Sequence, residues 1–228
     1  MSDFDQFQSL LSRLTAAFVT LEEHQLRALF RHFELLRAWN RVMNLTKVDS
    51  LEEAVERHYA ESLFLASRLP STVKRIADIG SGAGFPGFPV AVAFPECEVV
   101  LVESDQRKAA FLRESRDSAP NVKVMAIRAQ AVPVGFDMVL ARAVKPSEVV
   151  KVARRISGSV ALLISEEDAA TLSLPGAVSV PLPFRRGGVL YLADVSRGTC
   201  PRGRVRVSIV VSIPSPRTLQ NGPSHRHR

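Results

Sequence analysis

The run of residues from Asp78 to Gly87 constrains the fold of this chain more than any other part of the sequence. It reads Asp-Ile-Gly-Ser-Gly-Ala-Gly-Phe-Pro-Gly and follows a short apolar segment, Arg75 to Ile79, that is typical of a buried strand. Three glycines at alternate positions let the backbone turn sharply and pass close to a ligand. Because residues from Pro86 to Phe94 can form a helix, the pattern predicts the strand, loop and helix of a nucleotide-cofactor site.

The acid and the proline of this run indicate the class of cofactor. A dinucleotide loop has the pattern Gly-x-Gly-x-x-Gly and places a helix N-terminus against a pyrophosphate. Here the pattern is Asp-x-Gly-x-Gly-x-Gly, and Pro86 stands where a phosphate-facing helix needs a free amide. A cofactor without phosphates, S-adenosylmethionine, fits better. We therefore expect Asp78, Gly80, Gly82 and Gly84 to form its site; a purely structural turn between strand and helix is the alternative.

The segments beyond the loop predict an α/β fold. From Arg75 onward, short apolar stretches alternate with helical ones, which indicates a parallel sheet covered by helices. The strand candidates are 75–79, 98–103, 122–127, 136–141 and 159–164. Two further candidates, 177–185 and 189–195, flank Gly187-Gly188, a dipeptide that suits a tight hairpin turn. A mostly parallel sheet that ends in an antiparallel hairpin is the methyltransferase variant of the Rossmann-like fold.

The first seventy residues have helical spacing, and we expect them to cap the sheet. Thr20-Leu21-Glu22-Glu23 and Ser50-Leu51-Glu52-Glu53 are capping-box patterns, each of which predicts the start of a helix. The first of these helices is expected to end near Val42. We therefore divide the chain into an N-terminal helical cap (1–70), a Rossmann-like methyltransferase domain (71–195) and a basic tail (196–228).

The net charge of +7 is carried by the tail alone. Residues 196–228 contain seven arginines and no acid, which leaves residues 1–195 with 23 basic and 23 acidic residues. A segment rich in proline, serine and arginine cannot form a packed core by itself. The tail is therefore either a disordered extension or an arm that binds phosphate groups.

Other sequence features exclude several classes of protein. No apolar run approaches the roughly 18 residues of a membrane span, and the polar, acidic start does not resemble a signal peptide, so we expect a cytoplasmic protein. Cys97 and Cys200 lie far apart and have no histidine at metal-ligand spacing, so we expect neither a disulfide nor a metal site.

The second predicted strand ends in an acid that suits a ribose ligand. Glu103 lies 23 residues after Gly80, close to the spacing at which a carboxylate on the neighbouring strand binds ribose hydroxyls. The alternative is that Glu103 caps the next helix, although Ser104 or Asp105 can supply that cap.

Polar residues also follow the third and fourth predicted strands. Gln130 follows the third strand, where such folds present polar groups to an adenine ring. The alternative is that Gln130 is a solvated loop residue without a ligand contact. Arg142 and Lys145 lie at the carboxyl edge of the sheet, where ligands bind. A guanidinium there can contact a purine edge or a phosphate. The alternative for Arg142 is a salt bridge with Asp78 or Glu103.

These motifs together resemble the RsmG (GidB, glucose-inhibited division protein B) family, which methylates N7 of a guanine in small-subunit ribosomal RNA. The resemblance covers roughly residues 20–195. Its elements are Trp39-Asn40, Asn44-Leu45-Thr46, the run from Arg57 to Leu63, the run from Asp78 to Pro89, and Ala141-Arg142-Ala143. The resemblance implies transfer of a methyl group from S-adenosyl-L-methionine to 16S ribosomal RNA, either naked or in a small-subunit particle. We expect the protein to be a monomer.

The resemblance also implies a set of residues that contact the cofactor. They are Gly80, Phe85, Ala129, Gln130 and Arg142, of which Ala129 and Gln130 lie at the adenine ring. The sequence departs from the family pattern at three places. Gln130 stands where glutamate is frequent, Glu103 where aspartate is usual, and Ser165-Glu166 where Lys-Gly is common. The last departure predicts a weaker contact with RNA. From spacing alone, His58 is a packing residue, with a ligand contact as the alternative.

The chemistry implied by the resemblance needs no catalytic acid or base. Guanine N7 has a free lone pair, so its methylation releases no proton from nitrogen, and the enzyme mainly aligns the reactants. Arg142 is the candidate substrate contact. An oxidoreductase that uses the same loop needs a Tyr-x-x-x-Lys pair, which neither Tyr59 nor Tyr191 provides. A non-catalytic RNA-binding or ribosome-assembly protein, and a methyltransferase of proteins or small molecules, remain as alternatives.

Overall fold

The computed structural model describes residues 2–47, 50–172 and 174–196. The two alternatives for the basic tail, a disordered extension and a phosphate-binding arm, concern residues 197–228 and lie outside the described part. The same holds for Cys200.

A seven-stranded sheet forms the centre of the fold. Its strands are β1 (Arg75–Ile79), β2 (Glu98–Val102), β3 (Val122–Met125), β4 (Met138–Arg142), β5 (Ser159–Ser165), β6 (Val178–Pro181) and β7 (Gly188–Asp194). The strand order is β3-β2-β1-β4-β5-β7-β6. The first five strands are parallel, whereas β7 pairs antiparallel with both β5 and β6. This confirms the predicted Rossmann-like fold, a mostly parallel sheet that ends in an antiparallel pair.

Helices cover both faces of the sheet. They are α1 (Asp3–Thr15), α2 (Glu23–Asn40), α3 (Leu51–Ala54), α4 (Glu61–Ala66), α5 (Gly87–Ala93), α6 (Gln106–Ser115), α7 (Pro146–Ile156) and α8 (Glu166–Leu172), and a π-helical segment (Val55–Ala60) joins α3 to α4. Among the described residues, no helix is long and apolar enough to cross a membrane.

The two predicted capping boxes differ in outcome. Ser50 caps α3, since its hydroxyl accepts a hydrogen bond from the Glu53 amide at 3.0 Å. The box at Thr20 is wrong, because the N-cap of α2 is Glu22, whose amide donates to the Gln25 side chain at 2.9 Å. The α2 helix ends at Asn40, two residues before the predicted end.

The N-terminal helices share one hydrophobic core with a face of the sheet. This core joins side chains of α1, α2 and the π-helical segment to those of β1, β2, β4 and β5; examples are Phe7, Leu29, Tyr59, Leu101 and Leu140. A second core on the opposite face packs α7, for example Ile156, against alternate residues of the same strands, such as Val100 and Val139. The N-terminal helices therefore form one helical layer together with α5 and α6, and Thr46 and His58 reach the edge at which β1, β2 and β4 end.

The connection between β6 and β7 is longer than predicted. Gly187-Gly188 does not form a two-residue hairpin turn, because β6 ends at Pro181 and Gly188 is already the first residue of β7. The intervening residues 182–187 form an open loop that carries Arg185 and Arg186. This loop lies beside the end of β5, since Arg185 donates a hydrogen bond to the Ile164 carbonyl at 3.0 Å.

Candidate active site

The loop after β1 has a backbone that favours glycine. Gly80, Gly82 and Gly84 have φ angles of 72°, 55° and 86°, which lie in the left-handed region. At Gly80 there is a second constraint, because a Cβ atom there would lie 2.6 Å from Cγ2 of Val144. Gly80 is therefore required both by its φ angle and by the close approach of the segment that follows β4.

Asp78 is buried under the loop and connects its beginning to its end through a hydrogen bond with Gly87. Its side chain is completely buried, and its Oδ2 accepts a hydrogen bond from the Gly87 amide at 3.1 Å. Burial raises the pKa of Asp78 to about 7, against the opposing effect of the Gly87 amide. The Gly87 amide is the first of α5, so a helix amide that a phosphate would need is already occupied.

The buried carboxyl group of Asp78 predicts a specific pH dependence of stability. Because its pKa is about 7 when folded and 3.8 in the reference state, the folded protein holds this proton more tightly than the unfolded chain. As pH rises from about 4 to 7, this group lowers the free energy of unfolding by up to about 1.4 kcal/mol per pH unit.

Asp78→Asn removes this titration and keeps an oxygen acceptor for the Gly87 amide. We expect the stability of the variant, relative to the unmodified protein, to increase with pH across that window and to level off above it. Urea unfolding at several pH values measures the difference. A difference that does not change with pH would show that the Asp78 pKa is not raised.

Glu103 connects the loop to the start of α6. Its Oε2 accepts from the Gly82 amide at 3.0 Å and its Oε1 from the Asp105 amide at 2.8 Å. The helix cap itself is Asp105, whose side chain accepts from the amides of Arg107 and Lys108. Glu103 is thus buried next to the glycine loop and is not the N-cap of α6.

One wall of the site is aromatic. The ring of His58 stacks on that of Phe85 with 4.7 Å between centroids, and its Nε2 lies 2.9 Å from Oγ1 of Thr46. Burial, together with the charge of Arg142, lowers the pKa of His58 to about 3, so the ring is neutral at pH 7. The structure confirms His58 as a packing residue, because its ring stacks on Phe85; it also lines the pocket, and the alternative of a ligand contact stays a prediction.

These groups enclose a pocket of about 290 Å³. Of the residues predicted from the sequence, it is lined by Gly80, Gly82, Phe85, Glu103 and Arg142. Asp78 and Gly84 support the loop without lining the pocket. Ala129 and Gln130 lie outside its lining, in a short 3-10 turn (Ala129–Ala131) after β3, and Gln130 is exposed.

The pocket is also lined by residues that were not predicted as ligand contacts, namely Leu45, Thr46, Ser81, Ala83, Lys108 and Ala143. Lys108 lies in the first turn of α6, and its position three residues after the capping Asp105 was a usable signal. Ala143 was not predictable in this way. Its φ of 54° makes it the only non-glycine residue with a positive φ among the described residues. A left-handed alanine is strained, and such strain concentrates at functional sites.

Arg142 lines the pocket and also contacts the N-terminal helical layer. Its Nη1 donates to the Arg57 carbonyl, and its Nη2 lies 3.8 Å from Oε2 of Glu61. The alternative of a salt bridge with Asp78 or Glu103 is therefore wrong, because the acid beside Arg142 is Glu61. This carboxylate is 0% exposed, and burial raises its pKa against the opposing charges of Arg142 and Arg185.

Comparison with known proteins gives a consistent match. The family model for rRNA small subunit methyltransferase G matches residues 25–162. Ribosomal RNA small subunit methyltransferase G of Nitrosospira multiformis is 44% identical over 126 residues, which are 54% of this chain and 57% of that protein. The protein of the same name from Roseiflexus castenholzii is 40% identical over 143 residues, 59% of this chain and 61% of that protein. The match thus spans about three fifths of the length of these relatives.

Proposed function

Since this chain belongs to the rRNA small subunit methyltransferase G family, we propose that it transfers the methyl group of S-adenosyl-L-methionine to N7 of a guanine in 16S ribosomal RNA. The observation that carries the proposal is the pocket in which the glycine loop, Glu103 and Arg142 meet. Three separate strand ends contribute to it, and all three lie within the matched residues.

The pocket suits a cofactor that has a ribose and no phosphate. Gly80 and Gly82 present bare backbone, and Glu103 brings a carboxylate that can accept hydrogen bonds from ribose hydroxyls. The occupied Gly87 amide disfavours a dinucleotide. The turn that holds Ala129 and Gln130 follows β3 at the same edge, where we place the adenine ring. When bound, S-adenosyl-L-methionine supplies an electrophilic methyl group on a sulfonium sulfur.

The residues of the site act by positioning. Methylation of guanine N7 removes no proton from nitrogen, so a general base is not required, and alignment alone can contribute on the order of 7–11 kcal/mol. Arginine often binds guanine through O6 and N7 together. That contact would block the lone pair that must react. Here the guanidinium of Arg142 is already oriented by Glu61 and the Arg57 carbonyl, so we expect it to contact O6 or a phosphate and to leave N7 free.

Transfer of a labelled methyl group tests this function. Small-subunit particles lacking the modification, and naked 16S ribosomal RNA, are incubated separately with labelled S-adenosyl-L-methionine and the protein. We expect label in the RNA of at least one substrate, and none in particles that already carry the modification. Absence of label in both unmodified substrates would overturn the proposal. Cofactor binding is measured separately, because ligand at 100 times its Kd stabilises the folded state by about 2.7 kcal/mol.

We further propose that the protein acts as a monomer in the cytoplasm, with small-subunit ribosomal RNA or its particle as partner. In support of a monomer, only two large hydrophobic side chains among the described residues are clearly exposed, Val42 and Val134. Size-exclusion chromatography with light scattering tests the monomer, for which a dimer mass is the contradicting result.

A further inference from the structure

A second cleft opens beside the pocket, on the other side of Arg142 and Ala143. Its volume is about 660 Å³, and it lies between the end of β4, the start of α7, the end of β5 and the loop from β6 to β7. Four cationic side chains line it: Arg142, Lys145, Arg185 and Arg186. Because Arg142 and Ala143 line both the cleft and the pocket, a ligand in the cleft would lie next to the contents of the pocket.

Two of the four cations are fixed at the base of the cleft. Nη2 of Arg142 and Nε of Arg185 each lie 3.8 Å from a different oxygen of the buried Glu61. The Arg185 side chain also lies close over Gly188, where a Cβ atom would come within 2.4 Å of its Nε. Glu61 therefore lies between Arg142, at the end of β4, and Arg185, in the loop from β6 to β7. Its carboxylate offsets part of the positive charge of these two arginines.

The other two cations are free to bind an anion. Lys145 and Arg186 are both exposed. Within the described part of the chain, neither forms an ion pair. The acid that lines the cleft, Asp168, accepts a hydrogen bond from the Ser165 hydroxyl at 3.0 Å and lies on α8. The cleft is thus lined mainly by positive charge, with two exposed cations, Lys145 and Arg186, and two cations held by contacts with Glu61.

We propose that this cleft binds the sugar-phosphate backbone of the RNA beside the target guanine, with Lys145 and Arg186 as the phosphate contacts. This inference rests on the proposed function and assigns the path of the RNA next to the cofactor pocket. Exposed cations that neutralise phosphates release counterions, so they determine how steeply affinity falls with salt. Glu61 is a positioning residue here, since it orients Arg142 and Arg185 without facing the RNA.

The test compares RNA affinity as a function of salt for three single variants of the full chain. The probe is a 16S ribosomal RNA transcript without the modification. In Lys145→Ala and in Arg186→Ala, we expect the slope of log K against log salt to become shallower by about 0.7 to 0.9. Arg154→Ala is the matched control. Arg154 is exposed on α7, eight residues after its first residue at the edge and therefore about 12 Å away from it along the helix.

The outcomes separate this inference from the proposed function. We expect the control slope to equal that of the unmodified protein, and all three variants to retain the thermal shift with S-adenosyl-L-methionine. Unchanged slopes in both Lys145→Ala and Arg186→Ala, or an equal reduction in Arg154→Ala, would overturn the assignment of RNA binding to the cleft. Methyl transfer by the unmodified protein would still support the proposed function in that case. If the unmodified protein transfers no methyl group, the function itself fails, whatever the slopes show.

Discussion

Replacement of Arg142 by alanine is expected to lower kcat/KM for methyl transfer by about a hundredfold or more, while the protein remains folded. Arg142 lines both the cofactor pocket and the cationic cleft, so it is the charged side chain that faces both reactants. Loss of a group that positions reactants costs on the order of a hundredfold even when the misplacement is about 1 Å. The measurement is kcat/KM with unmodified small-subunit particles; full activity would show that the site is assigned to the wrong residues.

The same substitution also disturbs a buried charge, and a second variant separates the two effects. Removal of one partner of a buried ion pair costs about 3–5 kcal/mol in general. The cost is expected to be lower here, because Glu61 retains Arg185 at 3.8 Å and burial raises the pKa of Glu61, which makes its neutralisation easier. Adding Glu61→Gln to Arg142→Ala should restore part of the lost stability without restoring activity. Recovery of activity in this double variant would mean that Arg142 matters only for folding.

Gly80→Ala is expected to abolish most binding of S-adenosyl-L-methionine. An alanine at φ 72° costs about 1–2 kcal/mol, and its Cβ would lie 2.6 Å from Cγ2 of Val144. Relief of that contact has to move the Val144 side chain, so the added methyl group acts both on the glycine loop and on the segment that follows β4. Isothermal titration calorimetry measures the affinity, and thermal unfolding measures the accompanying loss of stability.

Two matched variants show whether the contact or the φ angle is responsible. Gly82→Ala has the same kind of φ angle, 55°, but its Cβ would meet only the Gly80 carbonyl oxygen at 3.9 Å. We expect it to lose less affinity than Gly80→Ala. Val144→Ala removes the opposing methyl group, so it should rescue part of the binding when combined with Gly80→Ala. If Gly80→Ala is no worse than Gly82→Ala and shows no rescue, the packing argument is wrong.

The strands of the fold could be predicted from local patterns, whereas the turn between β6 and β7 could not. Short apolar segments and the glycine run determined β1, β2 and β5 almost to the residue. The hairpin prediction failed because Gly187-Gly188 fits a two-residue turn in isolation, whereas in the structure Gly188 is already part of β7 and pairs with Ser165 of β5. Tertiary packing therefore overrode a local turn preference.

The site could be predicted only where its residues follow strands. Gly80, Glu103 and Arg142 come directly after or at the end of parallel strands, and the ends of such strands meet at one edge. The ion pair of Arg142 with Glu61 joins the sheet to a helix 81 residues earlier in the chain, and no local spacing predicts it.

Ser165-Glu166 is the pair from which we predicted a weaker contact with RNA. Ser165 ends β5 and Glu166 begins α8, and Ser165 lines the same cleft as Lys145 and Arg186.

The most direct test is identification of the methylated nucleoside after unmodified small-subunit particles have reacted with S-adenosyl-L-methionine and the protein. The RNA is digested to nucleosides, analysed by mass spectrometry, and the modified position is mapped. We expect 7-methylguanosine at a single position, and its loss with Arg142→Ala. A methyl group on any other atom, or no product from the unmodified protein on either particles or naked RNA, would contradict the assignment of this pocket to guanine N7 methylation.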